Sequence, residues 1–372
     1  VLRGHTVTGL SQDGSSVTLD VEGPDGPYPI TAAFVVGCDG AGSTVRKAAG
    51  IGFPGTPASV YGYIGDVVLD DPPARMGVQQ ITTNGLVLVA PSPGGLHRVA
   101  GYDPVSQDPS APLTLEELRA SVVRATGTDF GMRDPFWLTK FGNATRVAAT
   151  YREGRVLVAG DAAHMNFPAG GVGLNVGVRD AMNLGWKLAA EVRGRASAGL
   201  LDTYHSERHP VGEALSDHTQ AQTALITAST PEGLALRGLL NEAIATQPAF
   251  ASSLADTLSA LDVRYPAGDG HPLVGTRVVD RDGTLSEQLH AGTAILLTMT
   301  DTKLERATEH AATLGIPTHR STLSEEDPAW SGVRAAIIRP DGHVWWATES
   351  ADESAVTTAL TALGTSFGDQ EP

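Results

Sequence analysis

A short apolar run, Val156 to Ala159, ends in Gly160-Asp161 and continues through Ala162-Ala163-His164 to Pro168-Ala169-Gly170-Gly171-Val172-Gly173-Leu174-Asn175. These residue types predict a strand, a glycine-rich loop and a long helix opening near Leu174. Such a joint turns backbone N–H groups and the positive end of a helix toward an electron-rich ligand. Asp161, at the strand terminus, offers a fixed acceptor for hydroxyl groups. Gly170, Gly171 and Gly173 admit close backbone approach to a flat ring. A Gly-Asp pair alone reads as an ordinary turn; the whole string is too specific for that.

Two further strings carry chemistry-bearing residues. Cys38-Asp39-Gly40-Ala41-Gly42-Ser43-Thr44-Val45-Arg46 follows an apolar run and opens a short helix. Arg46, just inside that helix, is placed to make paired hydrogen bonds to a phosphate, the bland reading being a surface arginine. In Tyr204-His205-Ser206-Glu207-Arg208-His209-Pro210 the two histidines are four residues apart and share a helix face. Zinc ligands have such spacing, but no third ligand lies nearby and the pattern is not H-E-x-x-H, so a structural role is expected. His164 beside Asp161 does not make a hydrolase, because no G-x-S-x-G accompanies it. Trp137, Phe141 and Phe167 are candidates for lining an aromatic pocket, with core packing the commoner explanation.

Residues 5–39 read as a β-hairpin, turning at Gly23 to Pro27, followed by a buried parallel strand over Ala32 to Val36. Alternating segments between 59 and 151 predict an antiparallel sheet interrupted by a helix from Leu115 to Thr126, with Thr114 and Glu117 spaced as a capping box. Residues 174–261 are expected to be mostly helical, with Gly194 ending the first helix and Pro210 and Pro231 punctuating later ones. After a polar linker at 264–270 the pattern becomes βαβ. Ala294 to Leu297 reads as a strand, Lys303 to Leu314 as a helix, and Arg339-Pro340-Asp341-Gly342 as the turn of a hairpin.

The 372 residues imply two or three domains. A net charge of −16 with no basic block argues against nucleic acid or an anionic membrane as partner. A single cysteine, Cys38, excludes an internal disulfide and a cysteine metal cage, and points to a reducing, cytoplasmic setting. No apolar run is long enough to span a membrane and no secretory signal is evident. No G-x-G-x-x-G occurs; Gly171, Gly173 and Gly177 miss that spacing by one residue. The chain is therefore expected to be incomplete at its N-terminus by roughly 100 residues, one half of a dinucleotide-binding fold.

Together the strings resemble those of the class A FAD-dependent aromatic hydroxylases, most closely those that tailor aromatic polyketides such as anthracyclines and angucyclines. The resemblance covers nearly the whole chain. It implies an α/β and α+β architecture. An N-terminally incomplete, Rossmann-like FAD/NAD(P)-binding domain with a helical brace would occupy 1–58 and 152–264. An inserted antiparallel substrate sheet would occupy 59–151, and a thioredoxin-like domain without C-x-x-C 273–372. It further implies that Gly160 and Asp161 hold the ribityl chain of FAD and that Pro168 shapes the ring's neighbourhood. Gly170, Gly171, Val172, Gly173, Leu174 and Asn175 would compensate the reduced flavin, while Asp39 and Arg46 face FAD or NAD(P)H phosphates. The Tyr204 to Pro210 string resembles the family's bracing helix. Val172 departs from the pattern, standing where glutamine is frequent.

The activity implied is hydroxylation of an aromatic substrate by O2 through a flavin C4a-hydroperoxide, with NAD(P)H as co-substrate, in a monomer or homodimer serving polyketide antibiotic biosynthesis. The catalytic residues are not assigned. Two alternatives stay open: a flavin oxidoreductase without oxygen insertion, and a flavin-free chain that binds small aromatics or a partner.

Overall fold

The computed structural model describes residues 1–266, 270–280 and 283–367. Linker residues 267–269 and the last five residues of the 273–372 unit lie outside them. Strands Thr6–Gln12, Val17–Gly23 and Gly26–Ala32 form an antiparallel meander. Pro24-Asp25 turns the second hairpin, with Gly23 opposite Gly26. Val17 packs with Val35, Val45 and Val156 into a small core that joins this meander to the strand that follows.

That strand is shorter than expected. The antiparallel strand runs to Ala32, and only Val35–Gly37 pairs parallel, with Val156–Val158. At the bend between them the Phe34 ring lies under the Arg155 guanidinium at 4.9 Å, and Arg155 Nη1 donates to the Ala33 carbonyl.

The central sheet has five antiparallel strands in the order Met132–Gly142, Tyr61–Leu69, His97–Tyr102, Gly85–Pro91, Gly77–Thr82. Alternation puts Val67, Val87, Val89 and Val99 on one face, where Leu118 and Val122 of helix Leu115–Thr126 cover them. Thr114 caps that helix by accepting from the Glu117 N–H, and Gly127 ends it. The chain returns through Thr145–Val147, which pairs with Gly55–Thr56 and His164–Met165.

Helices Gly173–Val192, Thr203–Ile226, Pro231–Thr246 and Pro248–Ser259 follow. Pro231 starts its helix as expected, but Pro210 does not interrupt Thr203–Ile226. Its missing N–H removes only the partner of the Ser206 carbonyl, and packing on both sides of it carries the helix through. The final unit is a four-stranded sheet ordered Thr318–Ser321, Ile295–Met299, Ala335–Ile338, Val344–Thr348, the first pair parallel and the rest antiparallel. Helices Glu305–Thr313 and Glu353–Phe367 cover one of its faces. Among the described residues no helix is long and apolar enough to cross a membrane.

Candidate functional site

The three buried valine and leucine side chains of Val156–Val158 anchor the loop that follows. Tyr204 Oη donates to the Val158 carbonyl at 2.8 Å, so the long second helix holds the strand's end. The chain then reverses at Gly160, whose φ of 59° favours glycine. Helix Gly173–Val192 packs hard on this turn: a Cβ at Gly177 would sit 3.1 Å from the Gly160 Cα.

Asp161 is exposed, and its carboxylate has no protein partner among the described residues. Pro168, Gly170, Gly171, Leu174 and Asn175 are exposed on the same loop, and a Cβ at Gly171 would meet open space. The helix has Val172 at its N-cap, no side-chain cap and no acidic residue in its first turn. Its first N–H groups and positive end are therefore left for something other than the protein. Val172 and Val176 turn inward against Leu215, which seats the helix start. No group of His, Cys, Asp and Glu that could hold a metal occurs among the described residues.

Asp180, two turns down this helix and fully buried, fixes the loop from behind. Its Oδ2 accepts from the Gly160 N–H at 3.1 Å and contacts His164 Nε2 at 2.8 Å, while its Oδ1 accepts from Arg208 Nε at 2.8 Å. Burial opposes its charge, but His164 and Arg208 outweigh burial and hold the carboxyl below the usual aspartate range. One carboxylate thus joins loop, first helix and second helix.

The second string is also brought here. Asp39 Oδ1 accepts from Ser43 Oγ at 2.5 Å, and its Oδ2 from the Thr44 and Val45 N–H groups. Burial again works against the charge, and these bonds keep the carboxyl below its usual range. Arg46 differs from the free phosphate ligand expected of it. It is 3% exposed, Nη1 donates to the Ala162 carbonyl and Nη2 to the Ala41 carbonyl, and the guanidinium lies 3.7 Å over the Phe53 ring. Arg46 ties the Asp39 turn to the Gly160 loop across 116 residues of chain.

In the third string each residue braces something. The His205 and His209 rings lie 4.7 Å apart and meet the Tyr151 ring edge-on at 6.1 and 5.4 Å, and His205 Nδ1 accepts from the Tyr151 N–H. Glu207 accepts from Asn183 Nδ2, Lys187 Nζ and both Arg339 Nη groups, at 2.6 to 2.8 Å. Burial pushes the Lys187 ammonium down to about 8. Asp180, Glu207 and Arg208 escaped the residue-by-residue reading as site members; Glu207 and Arg208 were signalled only by the bracing string, and Asp180 by nothing in its spacing.

The central sheet meets the loop through aromatics. Phe141 and Phe167 pack with centroids 5.3 Å apart, next to Pro168. Trp137 is instead committed within its sheet, its Nε1 donating to Asp66, which Arg98 grips with two bonds. Gln222, from the second helix, comes against Gly170, and its Nε2 is buried without a protein partner among the described residues.

Comparison with known proteins accords with this geometry. Residues 1–219 match the family described as FAD binding domain, and 268–369 the family described as aromatic-ring hydroxylase, C-terminal. The chain is 45% identical to an uncharacterized aromatic compound monooxygenase of Bacillus subtilis, over 94% of this chain and 72% of that protein. It is 41% identical to the 12-dehydrotetracycline 5-monooxygenase/anhydrotetracycline 6-monooxygenase of Streptomyces rimosus, over 98% and 76%. The solved structure of CabE, an aromatic hydroxylase from angucycline biosynthesis, superposes with a TM-score of 0.83 at 40% identity, over 100% of this chain and 77% of that one. Its two family matches and these relatives place the chain among the FAD-dependent aromatic-ring monooxygenases.

Proposed function

We propose that the protein hydroxylates an electron-rich ring of a polycyclic aromatic polyketide or phenol, with O2 as oxygen donor and NAD(P)H as reductant. The observation that carries this is the exposed Asp161 and uncapped helix start, beside an aromatic pair shared with the central sheet. Open space at Gly171 and free N–H groups suit a planar ring whose reduced form carries negative charge. In this reading Asp161 accepts from the ribityl hydroxyls, and the backbone from Gly170 to Asn175 faces the flavin. Pro168 borders it, and Asp39 holds the turn that Arg46 clamps against the loop. Bound FAD supplies the electrons that activate O2 for insertion into the ring.

The aromatic substrate is placed on the Phe141 and Phe167 side, where Gln222 Nε2 offers a donor to a ring oxygen. Relatives that act on anhydrotetracycline and serve angucycline biosynthesis support the polycyclic class. The units 1–58 with 152–264, 59–151 and 273–372 serve as cofactor, substrate and C-terminal domains. The last is assigned as thioredoxin-like on its strand order, with Cys38 as the chain's sole cysteine excluding dithiol exchange.

The test is turnover of FAD-loaded protein with anhydrotetracycline under isotopically heavy O2, with NADPH or NADH. The expected product gains one heavy oxygen atom. Reduced nicotinamide consumed with stoichiometric hydrogen peroxide and unchanged aromatic in every case would instead favour the oxidoreductase reading.

A further inference from the structure

We infer that the C-terminal unit is a positioning element for the cofactor loop, acting through a buried polar chain from the Arg339–His343 turn to Gly160. This rests on the reading that the Gly160–Asn175 loop holds the flavin. Helix Gly173–Val192 carries Asp180, Asn183 and Lys187 on one face, all fully buried. Each is held by groups from outside the helix. Asp180 takes Arg208, while Asn183 and Lys187 both reach Glu207.

The C-terminal unit enters at two points. Arg339 grips Glu207 with Nη1 at 2.7 Å and Nη2 at 2.8 Å, and Nη2 also donates to Asp341 Oδ2 at 2.6 Å. Asn183 Nδ2 reaches that same Asp341 oxygen at 3.3 Å. On the other side His343 stacks on Tyr265 at 4.0 Å, and Tyr265 Oη accepts from Arg208 Nη1 at 3.4 Å. Arg208 then passes through Asp180 to the Gly160 N–H. Three anions (Asp180, Glu207, Asp341) face three cations (Lys187, Arg208, Arg339), so loss of Asp180, Glu207 or Arg339 leaves an opposite charge buried without its partner.

A cluster that only glued domains together would not need to end on the loop's backbone. This one sets both the Gly160 turn and the rotation and depth of the helix whose first N–H groups stand open at Leu174. Small displacements of such donors matter, because hydrogen bonds lose strength steeply with angle and distance. The C-terminal sheet, which has no dithiol, thereby gains a function in the cofactor site.

The experiment compares Tyr265→Phe, Asp341→Asn and Arg339→Met with Leu296→Ala and the milder Ile337→Val, which weaken the C-terminal core away from the chain of contacts. FAD affinity and the visible circular dichroism of bound flavin are measured at temperatures where every variant is folded. The network variants are expected to raise the FAD Kd about 5- to 30-fold and to alter the dichroism. Core variants with equal loss of melting temperature should leave both unchanged, and Arg339→Lys should recover part of the affinity. If FAD affinity follows melting temperature alike in both sets, or stays constant in the network variants, the inference is overturned. Wild-type protein in its full natural length that takes up no FAD would instead overturn the loop reading beneath it.

Discussion

Asp180→Ala is expected to destabilise the fold by about 3–5 kcal/mol, because it leaves the buried Arg208 guanidinium without its carboxylate. The same change frees the Gly160 N–H and His164 Nε2, so cofactor affinity should fall with stability. Urea denaturation of wild type and variant measures the first effect and FAD titration the second. Asp180→Asn should lose less, since the amide oxygen still accepts from one of the three donors. The pair also differs in acid. The native Asp180 carboxyl is held below its unfolded value, so its contribution is fully present above pH about 4 and is lost as pH falls through the lower native pKa. Wild type should therefore lose stability over that window more steeply than Asp180→Asn. Parallel acid limbs would show that the charge does not stabilise the loop.

Glu207→Leu is expected to have a comparable effect on stability, about 3–5 kcal/mol, since Arg339 loses both bonds to the second helix and Lys187 loses its anion. The damage should concentrate at the junction with the C-terminal unit. Limited proteolysis is expected to cut between 264 and 273 far faster than in wild type, alongside a lower melting temperature. Lys187→Met provides the contrast. Glu207 keeps Arg339 and Asn183, and burial already disfavours the lysine's charge, so this variant should lie within about 1–2 kcal/mol of wild type, with either sign. A Lys187→Met effect as large as that of Glu207→Leu would mean that the ammonium, not the carboxylate, organises the cluster.

These two residues mark where the sequence stops being readable. The loop from Gly160 to Asn175 was legible because strand, turn glycines and helix start are local, and the structure keeps them as one continuous strand–loop–helix joint. The antiparallel segments between 59 and 151 were legible through alternation. Pairings over long separation were not. Asp180 meets Arg208 across 28 residues and Glu207 meets Arg339 across 132, and nothing in the spacing of either declares the partner. The surroundings of Arg46 were hidden for the same reason. Its placement just inside a helix looked exposed, whereas the Ala162 carbonyl and Phe53 ring that bury it come from elsewhere in the chain. The Ala32 to Val36 run looked like one strand because apolar continuity does not reveal the bend at Ala33 and Phe34, where Arg155 makes its contacts.

Fluorescence titration of FAD into wild-type and Asp161→Ala protein bears most directly on the loop's role. Removing an exposed carboxylate that accepts ribityl hydroxyls is expected to raise the Kd about 10- to 100-fold. The melting temperature without FAD should not change, since Asp161 has no protein partner among the described residues. Equal FAD affinity in the two proteins would contradict a flavin cradle at Gly160–Asn175.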